Sequence, residues 1–175
     1  MPPIRKSTKK PPKHASQPFR PSPETEELVL PALLRAARGS YGHAIRASLA
    51  DAGFGDVPRN GAFVLGGMVN RGAPAAGLVR QLGVSKQAAS QLIDTLVVRG
   101  YLERRADPDD RRRMIVDPTE RGSAAAAAIH AGVRALDMEL NSMLTAEQLA
   151  GLRAGLVALC EIRDRMEETA RSSAA

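Results

Sequence analysis

Residues 78–113 read Leu78-Val-Arg-Gln-Leu-Gly-Val-Ser85, then Lys86-Gln-Ala-Ala-Ser-Gln-Leu-Ile-Asp-Thr-Leu-Val-Val-Arg-Gly100, then Tyr101-Leu-Glu-Arg-Arg-Ala-Asp-Pro-Asp-Asp-Arg-Arg-Arg113. Two short stretches of helical periodicity meet at Gly83, a stop follows at Gly100, and a basic loop comes next. Together they describe a helix-turn-helix followed by a wing, and that combination points to duplex DNA. The first of the two helices starts at about Pro74 and runs to Leu82, with Leu78, Val79 and Leu82 inward. Gly83 permits the left-handed backbone that a sharp turn needs. Ser85 suits the N-cap of the next helix, because its hydroxyl can satisfy an otherwise orphan backbone N–H.

Along that second helix Ala88, Ala89, Leu92, Ile93 and Leu96 form the stripe expected to be buried. Lys86, Gln87, Ser90, Gln91 and Asp94 are left on the opposite face. An ordinary surface helix carries Glu/Lys pairs at four-residue spacing, but here no acid stands between Ser85 and Ile93. Lys, Gln and Ser can donate to or accept from base edges, and a helix fits the major groove of B-form DNA. After Gly100, Tyr101–Arg105 reads as a strand, residues 106–111 carry turn chemistry, and Arg113–Asp117 returns as the partner strand. A ribbon tipped by Arg111, Arg112 and Arg113 can reach a neighbouring minor groove, where narrow segments attract arginine. Asp110 can orient one of those guanidiniums through a bidentate pair.

Working outward, Glu24 to about Ala52 reads as one long helix, with Leu30, Leu33, Leu34, Ala37, Tyr41, Ala44, Ile45 and Leu49 at three- and four-residue steps and three acids near its start. A second helix begins near Pro58 and stops at Arg71-Gly72. On the other side, Thr119 caps a helix running through Ile129 and Leu136 to Met143. Thr145-Ala-Glu-Gln148 is a capping box that opens a last helix with Leu149, Leu152, Leu156, Leu159, Ile162 and Met166 at helical spacing. These terminal helices exceed what one small winged lobe needs to cover itself, and a dimer interface is the simplest use for them. The expected class is therefore mainly α: a winged helix-turn-helix DNA-binding lobe at about 56–118, flanked by dimerisation helices at about 24–53 and 119–170.

Charge is distributed unevenly. Residues 1–23 hold six of the 25 basic residues and no acid, so the rest of the chain balances its 19 acidic residues with 19 basic ones. Within that neutral remainder, residues 71–113 carry nine basic against five acidic residues. This is the pattern expected when one face meets phosphates, although a charge run in isolation ordinarily means no more than a solvated surface. The Pro- and Lys-rich stretch 1–23 cannot bury enough apolar surface to offset ordering entropy and is expected to be disordered. It would serve as a basic arm on DNA or as a solubilising extension.

Aromatics make up only 3% of the 175 residues, so the core must come from Leu, Val, Ile, Met and Ala, which suits packed helices. A domain of this length buries roughly 70% of its unfolded surface. The single cysteine, Cys160, has no internal partner and is expected to be a buried apolar thiol. No stretch approaches the roughly 18 apolar residues that span a bilayer, and prolines interrupt the basic start, so a cytoplasmic protein is expected.

These motifs resemble the MarR family of bacterial transcriptional regulators. The resemblance covers about Glu24 to Glu168 and is carried by Leu78–Ser85, Leu92–Arg104 and Asp107–Gly122, the last of these, the wing, being the most specific part. It implies a homodimer whose first, fifth and sixth helices intertwine while two winged lobes meet a pseudo-palindromic operator. On it, Ser85, Lys86, Gln87, Ser90 and Gln91 correspond to major-groove contacts. Arg112, beside Arg111, corresponds to the minor-groove arginine and Asp110 to its orienting carboxylate. The family usually has Leu-Thr where Pro118-Thr119 stands, which should shorten the wing ladder by one bond. Many members also bind small aromatic or phenolic acids, and Tyr41, His43 and Arg46 are the candidates for such an effector.

No cofactor is expected, and the three histidines form no metal-ligand spacing. An enzyme finds no support: no paired carboxylates, no Ser-His-Asp set, no Cys-His pair and no Gly-rich phosphate loop in context. The reading is of a sequence-specific regulator, acting by promoter occupancy as a repressor that responds to a ligand. The alternative is an architectural or protein-interaction winged-helix module that coats DNA nonspecifically.

Overall fold

In the computed structural model, which describes residues 15–71, 75, 77, 79, 82–108 and 114–173, residues 82–106 fold as a turn, a helix and a strand. The elements in order are α1 (Pro23–Glu26), α2 (Leu30–Asp51), α3 (Gly61–Arg71), α4 (Lys86–Val98), β1 (Leu102–Ala106), β2 (Met114–Pro118), α5 (Glu120–Met143) and α6 (Ala146–Ser172). This is the mainly helical winged-helix class. The chain divides into a unit formed by residues 29–136 and another formed by residues 1–28 with 137–175. Among the described residues no helix is long and apolar enough to cross a membrane.

In the unit 29–136, α4 is delimited by local chemistry at both ends. Ser85 sits in extended conformation and its hydroxyl accepts the Ala88 N–H at 3.2 Å. At the other end Gly100 takes φ +72°, the Gly100 N–H bonds the Val97 carbonyl at 2.9 Å, and the Tyr101 N–H bonds the Leu96 carbonyl at 2.9 Å. That pair of bonds is a Schellman stop, which glycine makes at little steric cost. Replacing Ser85 with alanine is expected to lower stability by about 1 kcal/mol; a urea denaturation midpoint that does not move would contradict the cap's contribution.

Of the expected stripe, Leu96 is fully buried and Ala89, Leu92 and Ile93 are half-buried, but Ala88 is exposed. Ala88 lies in the first turn and about 80° around the axis from Leu96, past the edge of the packed face. The helix expected before Gly83 falls largely outside the described residues, Leu78 included. Ala75, Gly77 and Val79 are helical, and Ala75 and Val79 join the core. Gly83 has φ +65°.

The core comprises Leu49, Val64, Leu65, Met68, Leu96, Tyr101, Leu102 and the small face Ala125, Ala128 and Ile129 of α5. Small residues let α2 and α5 approach closely: a Cβ on Gly132 would lie 2.7 Å from the Ala44 carbonyl oxygen. There the Ser48 hydroxyl donates to the Ala128 carbonyl at 2.8 Å. The helix expected from near Pro58 runs from Gly61, entered through a turn in which the Pro58 carbonyl accepts the N–H groups of Gly61 and Ala62. The wing ladder is antiparallel with Leu102 opposite Pro118, Arg104 opposite Val116 and Ala106 opposite Met114.

The long first helix expected from Glu24 to Ala52 is instead two helices, α1 and α2, interrupted at residues 27–29. Pro31 explains the break. A proline is accommodated in the first turn of a helix, but in the interior its ring clashes with the carbonyl four residues earlier, here that of Glu27. Glu24 and Glu26 therefore sit in the first turn of α1, and α2 has no acid in its first turn.

In the unit formed by residues 1–28 and 137–175, Thr145 and Gln148 form the expected capping box at the start of α6. The Gln148 side chain also accepts the Phe19 N–H at 3.0 Å and donates to the Phe19 carbonyl at 2.8 Å, while the Ala15 N–H bonds the Leu144 carbonyl. Ala15 and Phe19, within the stretch read from sequence as an unordered tail, thus have hydrogen-bond partners; residues 1–14 lie outside the described residues. Along α6, Leu152, Leu156, Leu159, Ile162 and Met166 are exposed in the single chain. Cys160 is exposed too, which corrects the expected buried thiol: no residue of α6 is buried.

Candidate nucleic-acid interface

α4 presents Ser85, Lys86, Gln87, Ser90 and Gln91 to solvent together. Lys86 with Ser90, and Gln87 with Gln91, are spaced by four residues and so stand one above the other on neighbouring tracks of the same side. Ser85 accepts the cap bond through its oxygen and retains its own hydroxyl proton for donation. The face therefore offers one ammonium, two amides and two hydroxyls with no carboxylate among them.

Asp94, placed by sequence on that face, is drawn to the wing instead. The Arg104 guanidinium on β1 donates to its carboxylate at 2.5 Å, with both side chains about half exposed. A pair this exposed contributes little stability, but it neutralises the acidic residue of α4. On the opposite strand, Asp117 accepts from Arg105. Asp110, Arg111 and Arg112 lie outside the described residues; the strands that carry the loop are described up to Ala106 and again from Met114.

Tyr41, His43 and Arg46 all fall on α2, Tyr41 half-buried and the other two exposed. Residues two apart on a helix do not face each other, so the unbroken α2 points Tyr41 and His43 to different sides. His43 and Arg46, three apart, share one.

A second cluster escaped the sequence reading. Phe54 and Asp56, in the loop before α3, meet Arg99 and Tyr101 at the end of α4 and Arg121 in the first turn of α5. The Tyr101 hydroxyl donates to Asp56 Oδ1 at 2.5 Å, and Arg121 Nη2 donates to the same oxygen at 3.2 Å and to the Tyr101 oxygen at 3.0 Å. The Arg121 guanidinium lies 4.6 Å from the centroid of the Tyr101 ring and 5.5 Å from that of Phe54, within cation–π range. Arg99 donates to the Asp56 carbonyl.

The Tyr101 hydrogen bond, with the Arg121 charge adding to it, holds the Asp56 carboxyl below its usual range. Burial, then the hydrogen bond to Asp56, pushes the Tyr101 phenol above its usual range. Asp56 therefore stays ionised and Tyr101 protonated as its donor across neutral pH. Asp56 and Arg121 are 65 positions apart, so no local spacing could have paired them.

A family model described as the MarR family matches residues 56–113. The multiple antibiotic resistance protein MarR of Escherichia coli K12 is 36% identical over 76 residues, 43% of this chain and 53% of the relative. The alignment thus spans about half the length of that curated relative. Among solved structures, the reduced form of E. coli MarR superposes with a TM-score of 0.59 at 25% identity, covering 75% of this chain and 96% of its own. The S. aureus MepR–DNA complex gives 0.63 at 19% identity, with 77% and 98% covered. An E. coli MarR mutant complexed with operator DNA gives 0.58 at 23% identity, with 79% and 99% covered. These last two likenesses speak for the fold, and the family-model match, residues 56–113, takes in α3, α4 and β1. In fold, and in sequence over residues 56–113, the chain is similar to the MarR family.

Proposed function

We propose that the chain is a DNA-binding transcriptional regulator, a repressor that occupies a pseudo-palindromic operator as a homodimer, with α4 in the major groove and the wing arginines in the minor groove. The observation that carries the proposal is the capped, solvent-facing side of α4, where Lys86, Gln87, Ser90 and Gln91 stand together without a carboxylate. Such a face meets phosphates and base edges without like-charge repulsion. Two of the superposing structures are themselves complexes with DNA. The exposed apolar stripe of α6 supports the homodimer, since a second copy would remove those side chains from water. A small aromatic or phenolic acid would present its carboxylate to Arg46 beside His43, with Tyr41 outside that pair.

Arg112→Ala is expected to weaken operator binding by roughly 1 to 3 kcal/mol, with the protein still folded and sedimenting as a dimer. A gel-shift titration at fixed salt reads it. Unchanged affinity would remove the wing from the proposal, and a cognate-to-random affinity ratio near unity would favour an architectural module that coats DNA nonspecifically.

A further inference from the structure

We propose that Asp56, Tyr101 and Arg121 form a positioning junction that fixes the wing strands against the end of α4, so that the two elements of the DNA-binding site move as one body. The consequence for DNA rests on the proposed function; the junction itself is a property of the free protein.

Only Arg99, Gly100 and Tyr101 separate α4 from β1. A two-stranded ribbon is marginally stable by itself in water, so the direction in which β1 and β2 leave the lobe depends on how that corner is held. It is held from several sides. Arg99 reaches back to the Asp56 carbonyl, and the Tyr101 hydroxyl donates to the Asp56 carboxylate. Arg121 bonds both groups while stacking on the Tyr101 and Phe54 rings. Just past the return strand, the Thr119 hydroxyl donates to the Gly100 carbonyl at 2.6 Å and the Thr119 N–H bonds the Tyr101 carbonyl at 3.1 Å.

The Asp56 side chain is about half exposed and could have been hydrated. It is instead aimed at the phenol of a residue whose ring is fully buried. Filling the core needs the ring alone, and the hydroxyl adds direction: it ties the root of the wing to the loop before α3 and to the start of α5. Removing it leaves the packing in place and frees the corner.

The test is amide hydrogen exchange of the free, full-length protein, comparing wild type with Tyr101→Phe and Asp56→Ala. Amides in residues 102–106 and 114–117 are expected to exchange about tenfold faster, the change that loss of a hydrogen bond to a charged group produces. Amides of α2 and of the buried part of α5 should stay within about twofold of wild type, as for distant sites. Unchanged strand exchange, or acceleration spread evenly over the whole unit, overturns the junction. If Tyr101→Phe is destabilised throughout, Asp56→Ala, at a half-exposed position, decides the matter.

Hydroxyl-radical footprints on operator DNA then separate the junction from the proposed function. Loosened strands together with loss of the wing-side protections, the α4 protections being kept, support both. Loosened strands with no protected DNA even for wild type support the junction and sink the DNA-binding proposal. Normal footprints in both variants with unaltered strand exchange sink the junction alone.

Discussion

Gly122→Ala is expected to lower stability by about 3 kcal/mol, the upper end of what overpacking costs. A Cβ at this position would lie 2.0 Å from the Tyr101 carbonyl oxygen and 3.0 Å from its carbonyl carbon. Both are backbone atoms, so no flexible side chain can move aside. The same carbonyl accepts the Thr119 N–H, and the Gly122 N–H bonds the Thr119 hydroxyl at 3.0 Å. Relieving the contact would therefore also disturb the cap of α5. In a chain of this length the melting temperature should fall by about 10 °C, measured by thermal and urea unfolding with an unchanged m-value. A change within about 0.5 kcal/mol, typical of an inert surface site, would mean that the first turn of α5 can shift freely and that this contact does not hold it.

The second large effect is expected at Leu96→Ala, with a loss of about 2 to 5 kcal/mol. Leu96 has no accessible surface and stands on the packed face of α4, in the core cluster. Its Cδ2 stands 2.9 Å from where a Gly61 side chain would begin, so α3 and α4 are in close contact at this point. Truncation leaves a cavity that the short α3 can only partly fill. Lys86→Ala, on the exposed side of the same helix, is expected to leave the unfolding midpoint in place. Chemical denaturation of the two variants side by side therefore tests the division of α4 into a packing face and a solvent face. Equal midpoints for Leu96→Ala and wild type would refute it.

Much of α4 and the wing was legible in the sequence because their determinants are local. Ser85 caps through a hydroxyl three residues from its partner, Gly100 supplies a positive φ where the helix stops, and β1 and β2 pair in one register. The capping box at Thr145 is equally local. Pro31 was just as visible, yet the strong apolar periodicity from residue 24 to residue 52 concealed it. Periodicity describes which face is buried, whereas a proline ring excludes helix at one point regardless of pattern. Cys160 was misread for a related reason: a helical apolar stripe predicts a buried face, but among the described residues of one chain Cys160 and the rest of α6 beyond its first turn are exposed.

What the sequence determined by itself, then, is the winged-helix class, the ends of α4, the start of α6 and the polar side of α4, since caps, stops and 3.6-residue periodicity act within a few positions of each other. What only the tertiary structure decided is which distant groups meet. Asp94 is neutralised by Arg104 across two elements, and Gly122 and Gly132 are required where one backbone approaches another. The hydroxyl of Tyr101 is shared between Asp56 and Arg121. Contacts of this kind depend on distances set by the packed core, and a short polar or small residue carries no local mark of the neighbour that the fold will bring to it.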